Sequence, residues 1–339
     1  MKEEFFMIKI IAALIVFMLV VLFHEFGHFI MAKKQGIRVN EFSVGMGPAL
    51  LQKKKGETLY SLRAIPLGGF CAMEGEDEES DAEDSFDQAP ALGRFLTILA
   101  GPLMNLVICY ICFVLFFGMT GKPVPRILEF SENSNLPQQG VKVGDTITAI
   151  NDRPVDSYDQ LTKLIHESKG EELKLTYLRD NATHDVSVEP VREENGDYLL
   201  GFIADRDKDL AYAFKGAFDK MVSIYVMIFV TIGQLFTGGL SLSSFSGPVG
   251  VVRLIGDAAQ EGMAPLLFFT GYISLNLAFF NLLPIPALDG SKLVLILVEK
   301  LRGKPIKKEI ESKITIAGFI FLIALILLVS IKDVWNIFQ

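Results

Sequence analysis

Apolar positions along this chain gather into long runs, and the polar ones collect in blocks between them. The run from Ile8 to Met31 is broken only by Lys9 and by the cluster His24, Glu25 and His28. A second run covers Phe95 to Met119, with Asn105 as its one strongly polar member. A third starts near Ala264, is interrupted by Pro284 and Pro286, and resumes from Lys292 to Val298; a fourth runs from Ile314 to Ile331. Each is long enough, or nearly so, to cross a hydrocarbon core of about 30 Å at about 1.5 Å per residue. The pattern therefore predicts a polytopic α-helical membrane protein with about four transmembrane helices. Met221 to Phe236 is also apolar. A crossing there would reverse the third span and carry Asp289 away from His24. It is therefore read as a helix lying at or dipping into the outer interface.

Between the second run and that segment the period changes. Val143 to Ile150 alternates apolar and polar residues, and Leu173 to Leu178 does so less cleanly, as half-buried strands do. Ser157 to Ser168 carries Leu161, Leu164 and Ile165 at helical spacing, with Ser157 placed to cap. These elements predict a compact soluble α+β domain. The boundaries that follow are 1–121 for the first two spans and their connecting loop and 122–209 for the soluble domain. Residues 210–262 form an interfacial helical segment and 263–339 the last two spans.

Charge sets the orientation. Lys33, Lys34, Arg38, Lys53, Lys54, Lys55 and Arg63 follow the first span, and Lys300, Arg302, Lys304, Lys307, Lys308 and Lys313 separate the third from the fourth. Both connections are expected in the cytoplasm, with 122–209 outside. The acidic stretch Glu74 to Asp87 is expected to be a solvated, mobile cytoplasmic loop. The net charge of −8 comes without a concentrated basic face, which argues against nucleic acid as a partner. Of the three cysteines, Cys109 and Cys112 sit inside an apolar run and are read as small apolar residues, and Cys71 as a free thiol. Nothing in the sequence specifies an oligomeric state.

The polar cluster of the first run carries chemistry. His24-Glu25-Phe26-Gly27-His28 is H-E-x-x-H, which on a helix puts two imidazoles on one face and a carboxylate beside them. Ionisable groups inside a membrane run are costly and functional by default. Zinc is the expected ion, with Glu25 placed to take a proton from water. Catalytic zinc needs a third protein ligand. Glu299 and Asp257 are candidates without special context. Asp289 follows a proline-broken stretch, Asn281 to Asp289-Gly290, where freed backbone needs protein or a wet cavity around it. From the residues alone it is either a ligand or an interfacial cap for the helix that restarts at Lys292, with Gly290 permitting a turn.

H-E-x-x-H in the first span, with N-x-x-P-x-P-x-L-D-G from Asn281 to Gly290 in a later one, resembles the site-2 intramembrane zinc proteases. The likeness is strongest to the bacterial regulator-of-sigma-E protease group with a PDZ domain. It extends to Gly56 through Phe70, similar to that family's membrane-associated β-hairpin, and to Ala100-Gly-Pro-Leu-Met-Asn105. Gly140 through Asn151 is similar to its PDZ domains, and Ser246-Gly-Pro-Val-Gly250 to another recurrent segment. The resemblance implies His24, His28 and Asp289 as zinc ligands and Glu25 as general base. It implies a multi-pass protein of the bacterial plasma membrane, with the active site toward the cytoplasm and an extracytoplasmic PDZ-like domain acting as a size filter. Its partners are the lipid bilayer and transmembrane-helix protein substrates, such as an anti-sigma factor or remnant signal peptides. It implies Asn281, with Asn276 and Asn105, as contacts for unwound substrate, the alternative for each being a hydrogen bond between helices. Thr58 to Ile65 is expected to offer the substrate a free strand edge. His166 and His184 are read as surface residues. Two other readings compete: a scaffold that binds partners through the PDZ-like domain, and a tethered protease open to bulk water.

Overall fold

The computed structural model describes residues 2–192, 196–239 and 247–337, without the side chains of 2–6, 67, 236 and 333–337. Two compact units emerge, one of 1–116 with 215–339, the other Phe117–Phe214. The second reaches five residues past 122–209 at each end, and Phe117 and Tyr212 there pack ring against ring at 5.6 Å.

Helix α1 (Lys2–Lys34) is followed by β1 (Val39–Lys55), β2 (Thr58–Met73) and α2 (Ala91–Thr120). The two strands do not make a simple hairpin. Glu41, Phe42, Ser43 and Val44 each have two partners, one within Leu59–Leu62 and one within Gly69–Ala72, while Ala49–Lys55 pairs with Thr58–Arg63. Positive φ at Gly45 and Gly47 lets the chain fold back between these parts. Four segments thus lie side by side, and Thr58–Leu62 has neighbours on both sides. The expectation of a free edge on Thr58–Ile65 is corrected: the outer segments are Ala49–Lys55 and Gly69–Met73. At one end of the sheet Glu57 meets Lys33 (2.5 Å); at the other, Gly68 lies against Val21.

The acidic stretch is also corrected. Rather than a mobile loop, it is a strap tied down at several points. Arg38 makes a two-pronged bond to Asp84 (2.6 and 2.7 Å), and Lys292 reaches Glu76 (2.7 Å). Lys308 bonds the Glu76 carbonyl (2.7 Å) and Asp87 (2.9 Å). Phe86 is buried in one cluster with Ile37, Cys71, Met73, Ile98, Leu293 and Ile296.

The second unit opens with β3 (Lys122–Phe130), β4 (Thr146–Ile150), β5 (Arg153–Pro154) and α3 (Tyr158–Glu167). It closes with β6 (Leu173–Arg179), β7 (Ala182–Val188), β8 (Val191–Arg192), β9 (Tyr198–Leu199) and β10 (Phe202–Asp207). The main sheet runs β10-β3-β4-β6-β7, with β5 on β4. Its apolar face meets α3 in a core of Ile127, Ile147, Ile150, Leu161, Leu164, Leu173 and Leu175. Ser157 caps α3 by accepting from the Gln160 amide (3.2 Å), as its position predicts.

Next come α4 (Leu210–Phe236), α5 (Pro248–Glu261), α6 (Met263–Leu282), α7 (Asp289–Arg302) and α8 (Lys308–Ile337). Ser246 of the recurrent segment lies outside the described residues; Pro248-Val-Gly250 is the first turn of α5. Among the described residues, five helices are long and apolar enough to cross a membrane: α1, α2, α4, α6 and α8. The sequence predicts about four. The difference is α4, which packs along α6 in the same sense. Lys220 lies over the Phe268 ring (5.6 Å), and Tyr225 and Phe229 meet Phe279 at 5.3 and 5.1 Å. Helix α5 then runs back along α1. Ile255 is buried against Val16 and Val20, and Asp257 pairs with Lys9.

Candidate metal centre

His24 and His28 lie one turn apart on the inner face of α1, each 6% exposed. Helix α2 crosses α1 at this level because glycine stands at both closest points. A Cβ on Gly27 would run into the Ala100 carbonyl, and one on Gly101 into both imidazole rings. Small residues allow helices in lipid to approach this closely. The rings therefore lie directly on α2, where His28 Nδ1 donates to the Thr97 carbonyl (2.9 Å). With its proton on Nδ1, the ring turns the lone pair of Nε2 inward. Sequence reading placed Gly101 in a family-like segment without assigning it a role, and missed Thr97; the signal available for the glycine was a small residue in each of two apolar runs.

Asp289 arrives from the break between α6 and α7. Pro284 and Pro286 prevent helix there, and Ala287 takes the positive φ of 74° that reverses the chain. Gly290 serves differently from expectation. It makes no positive-φ turn; a Cβ there would overlap the Leu282 and Leu283 carbonyls, so its lack of side chain lets α7 start against the end of α6. The helix starts at Asp289, not Lys292, and the Asp289 carboxylate turns toward the histidines.

The three donors form a nearly equilateral triangle. His24 Nε2 to His28 Nε2 is 3.2 Å, His24 Nε2 to Asp289 Oδ2 is 3.1 Å, and His28 Nε2 to Asp289 Oδ2 is 3.4 Å. A tetrahedral zinc ion with bonds of about 2.0–2.1 Å separates its ligands by about 3.3 Å. The fit is close, and two imidazoles with one carboxylate are a zinc donor set. Among the described residues these three are the metal-capable group. The other candidate ligands are engaged elsewhere: Glu299 pairs with Arg94 (2.9 Å), and Asp257 with Lys9.

Glu25 is half-buried and adjacent to His24, turned about 100° around α1. Asn281, 8% exposed at the end of α6, brings its Nδ2 within 3.3 Å of His24 Nε2. Asn105, wholly buried on α2, comes within 3.3 Å of His24 Nδ1. Among the described residues, no bond ties Asn276 to this cluster; it donates to the Tyr272 carbonyl one turn back (2.8 Å).

Comparison with known proteins identifies the family. Residues 12–325 match Peptidase family M50. The chain belongs to this family. Among M50 relatives, a Clostridium acetobutylicum protein named provisionally as a zinc metalloprotease is 34% identical over 96% of this chain and 97% of its own length. The Bacillus subtilis regulator of sigma-W protease RasP is 29% identical over 98% of this chain and 100% of its own length. Among solved structures, the PDZ domain of an SdrC-like protein from Listeria innocua aligns with 26% of this chain and 99% of that domain, at 21% identity and a TM-score of 0.23. As an M50 peptidase the chain is a zinc metalloendopeptidase of the site-2 type and a multi-pass membrane protein.

Proposed function

We propose that this peptidase cuts transmembrane segments of membrane-anchored proteins, with zinc held by His24, His28 and Asp289 and with Glu25 as general base. The observation that carries the reading is the 3.1–3.4 Å triangle of donors built inside an apolar helix pair. Zinc, when bound, polarises a scissile carbonyl and lowers the pKa of a bound water toward about 7. Glu25 takes the proton of the attacking water and hands it to the leaving amine. A substrate helix hides its carbonyls in i→i−4 bonds and must unwind before attack. Asn281 is the side chain best placed to meet the freed backbone, because it borders the triangle and keeps some exposure.

The outer segments of the four-segment sheet supply further backbone partners without demanding a sequence. The basic connections put the H-E-x-x-H end of α1 on the cytoplasmic side and the PDZ-like unit outside, where its bulk filters substrates. Helix α4 goes in and α5 returns, which keeps α6 in the sense that brings Asn281 to His24. The likeness to a protease that regulates a sigma factor favours a membrane-anchored regulator of transcription as substrate; remnant signal peptides fit the same chemistry. The test is Glu25→Gln with a membrane-embedded model substrate. Cleavage is expected to fall by at least about 100-fold, in line with loss of general base catalysis, while bound zinc is retained. Cleavage at the wild-type rate would refute the assignment.

A further inference from the structure

We propose that Asn105 is a positioning residue for His24 and does not contact substrate; this rests on the zinc-site reading above. Asn105 is 0% exposed, so an incoming chain has no route to its amide. What it does touch is the far nitrogen of a metal ligand. Its Nδ2 lies 3.3 Å from His24 Nδ1, while its Oδ1 is sealed from solvent with no hydrogen-bond partner among the described residues.

Those two facts resolve together. Nε2 of His24 is the atom that joins the triangle with His28 and Asp289. An imidazole that offers Nε2 to a metal keeps its proton on Nδ1 and needs an acceptor there. An amide nitrogen cannot accept, but an amide oxygen can. A half-turn of the Asn105 amide exchanges the two groups. Oδ1 then receives the Nδ1 proton, and the buried oxygen gains the partner it lacked.

The neighbouring ligand shows the same arrangement made from backbone, since His28 Nδ1 donates to the Thr97 carbonyl. Helix α2 thus serves both histidines of α1 from behind, once with its main chain and once with a side chain. The Asn105 position is itself fixed from a third helix, because Ser274 Oγ of α6 donates to the Asn105 carbonyl (2.9 Å). Outer partners of this kind set ring orientation and ligand basicity, and their loss weakens metal binding about 10- to 100-fold.

The experiment uses the full chain in detergent and reads zinc affinity by competition with a graded set of chelators. Asn105→Leu keeps the branched shape and removes the acceptor; Asn105→Asp keeps an acceptor. Asn105→Leu is expected to bind zinc about 10- to 100-fold more weakly than wild type. Asn105→Asp stays within a few-fold. At saturating zinc, Asn105→Leu lowers kcat and leaves KM for a membrane substrate unchanged. Thermal unfolding of the zinc-free variants separates loss of fold from loss of affinity, and Asn105→Asp keeps the comparison decisive if the leucine variant does not fold. Wild-type zinc affinity in Asn105→Leu with a raised KM would overturn the proposal in favour of substrate contact. Equal zinc loss in both variants would overturn the acceptor role. A wild-type chain without zinc affinity would overturn the site reading itself, and this proposal with it.

Discussion

A missing methyl group decides where the two imidazoles of α1 sit. At Gly101 a Cβ would overlap the His28 and His24 rings, so the imidazoles occupy space that any other residue on α2 would fill. Gly101→Ala is expected to cost about 1–3 kcal/mol by overpacking and to displace at least one ring. Zinc content of the purified variant should drop well below one per chain; full occupancy would show that the rings can move aside. At this scale the sequence was partly legible. H-E-x-x-H placed two imidazoles one turn apart because its spacing is a property of one helix. Asp289 could be singled out by its broken context but not assigned, since its neighbours in space are more than 250 positions away. The direction in which Asn105 turns its amide left no trace in the sequence at all.

Elements were read well where one element suffices and poorly where partners are remote. The strand β6 buries Leu173, Leu175 and Tyr177 and alternates as its residues predict, and α3 starts at its serine cap. The acidic strap was misread because two of its cations come from α7 and α8, over 200 residues later. Composition showed the carboxylates, and nothing local showed Lys292 or Lys308. The strap gives a test of its own. Lys308→Ala removes the bonds to the Gly75 and Glu76 carbonyls and to Asp87, and hydrogen bonds to a charged group contribute about 1.5–3 kcal/mol. Limited proteolysis between Asp77 and Asp84 should quicken by about 10-fold or more, following the population of the opened strap. An unchanged rate would mean that Arg38 and the buried Phe86 hold the strap without it.

Across the molecule, the two units have separate cores, and the second encloses its own apolar cluster under one sheet. It is expected to unfold cooperatively as an isolated fragment of 117–214. Acid should weaken it through Asp145. Burial alone would raise that carboxyl, but the two-pronged bond from Arg179 and the Lys142 amide outweigh burial and hold it below the ordinary carboxylate range. Its unfolded form therefore takes up a proton at higher pH than its folded form does. The stabilisation is complete above the usual value of about 3.9 and fades as pH falls through the depressed folded value. Urea titrations of the fragment between pH 5 and pH 2.5, as about one-unit steps, should show a steeper loss for wild type than for Asp145→Asn. Parallel slopes would remove Asp145 from the account. The separate helix α5 is the whole-molecule feature that sequence reading missed. The parity argument assumed a single helix between the soluble unit and α6, and the chain has two there, α4 and α5.

The sheet beside α1 leaves one further mark. Its outer segment Ala49–Lys55 pairs on one side with Thr58–Arg63, and open rows of backbone groups glue copies of a protein together. Half of this row is guarded, because Lys53, Lys54 and Lys55 repel a second copy of themselves. The unguarded half carries Leu50 and Leu51, 62% and 69% exposed. Self-adhesion is thereby discouraged over the lysines, while the greasy half stays available to a stranger that lacks such charges.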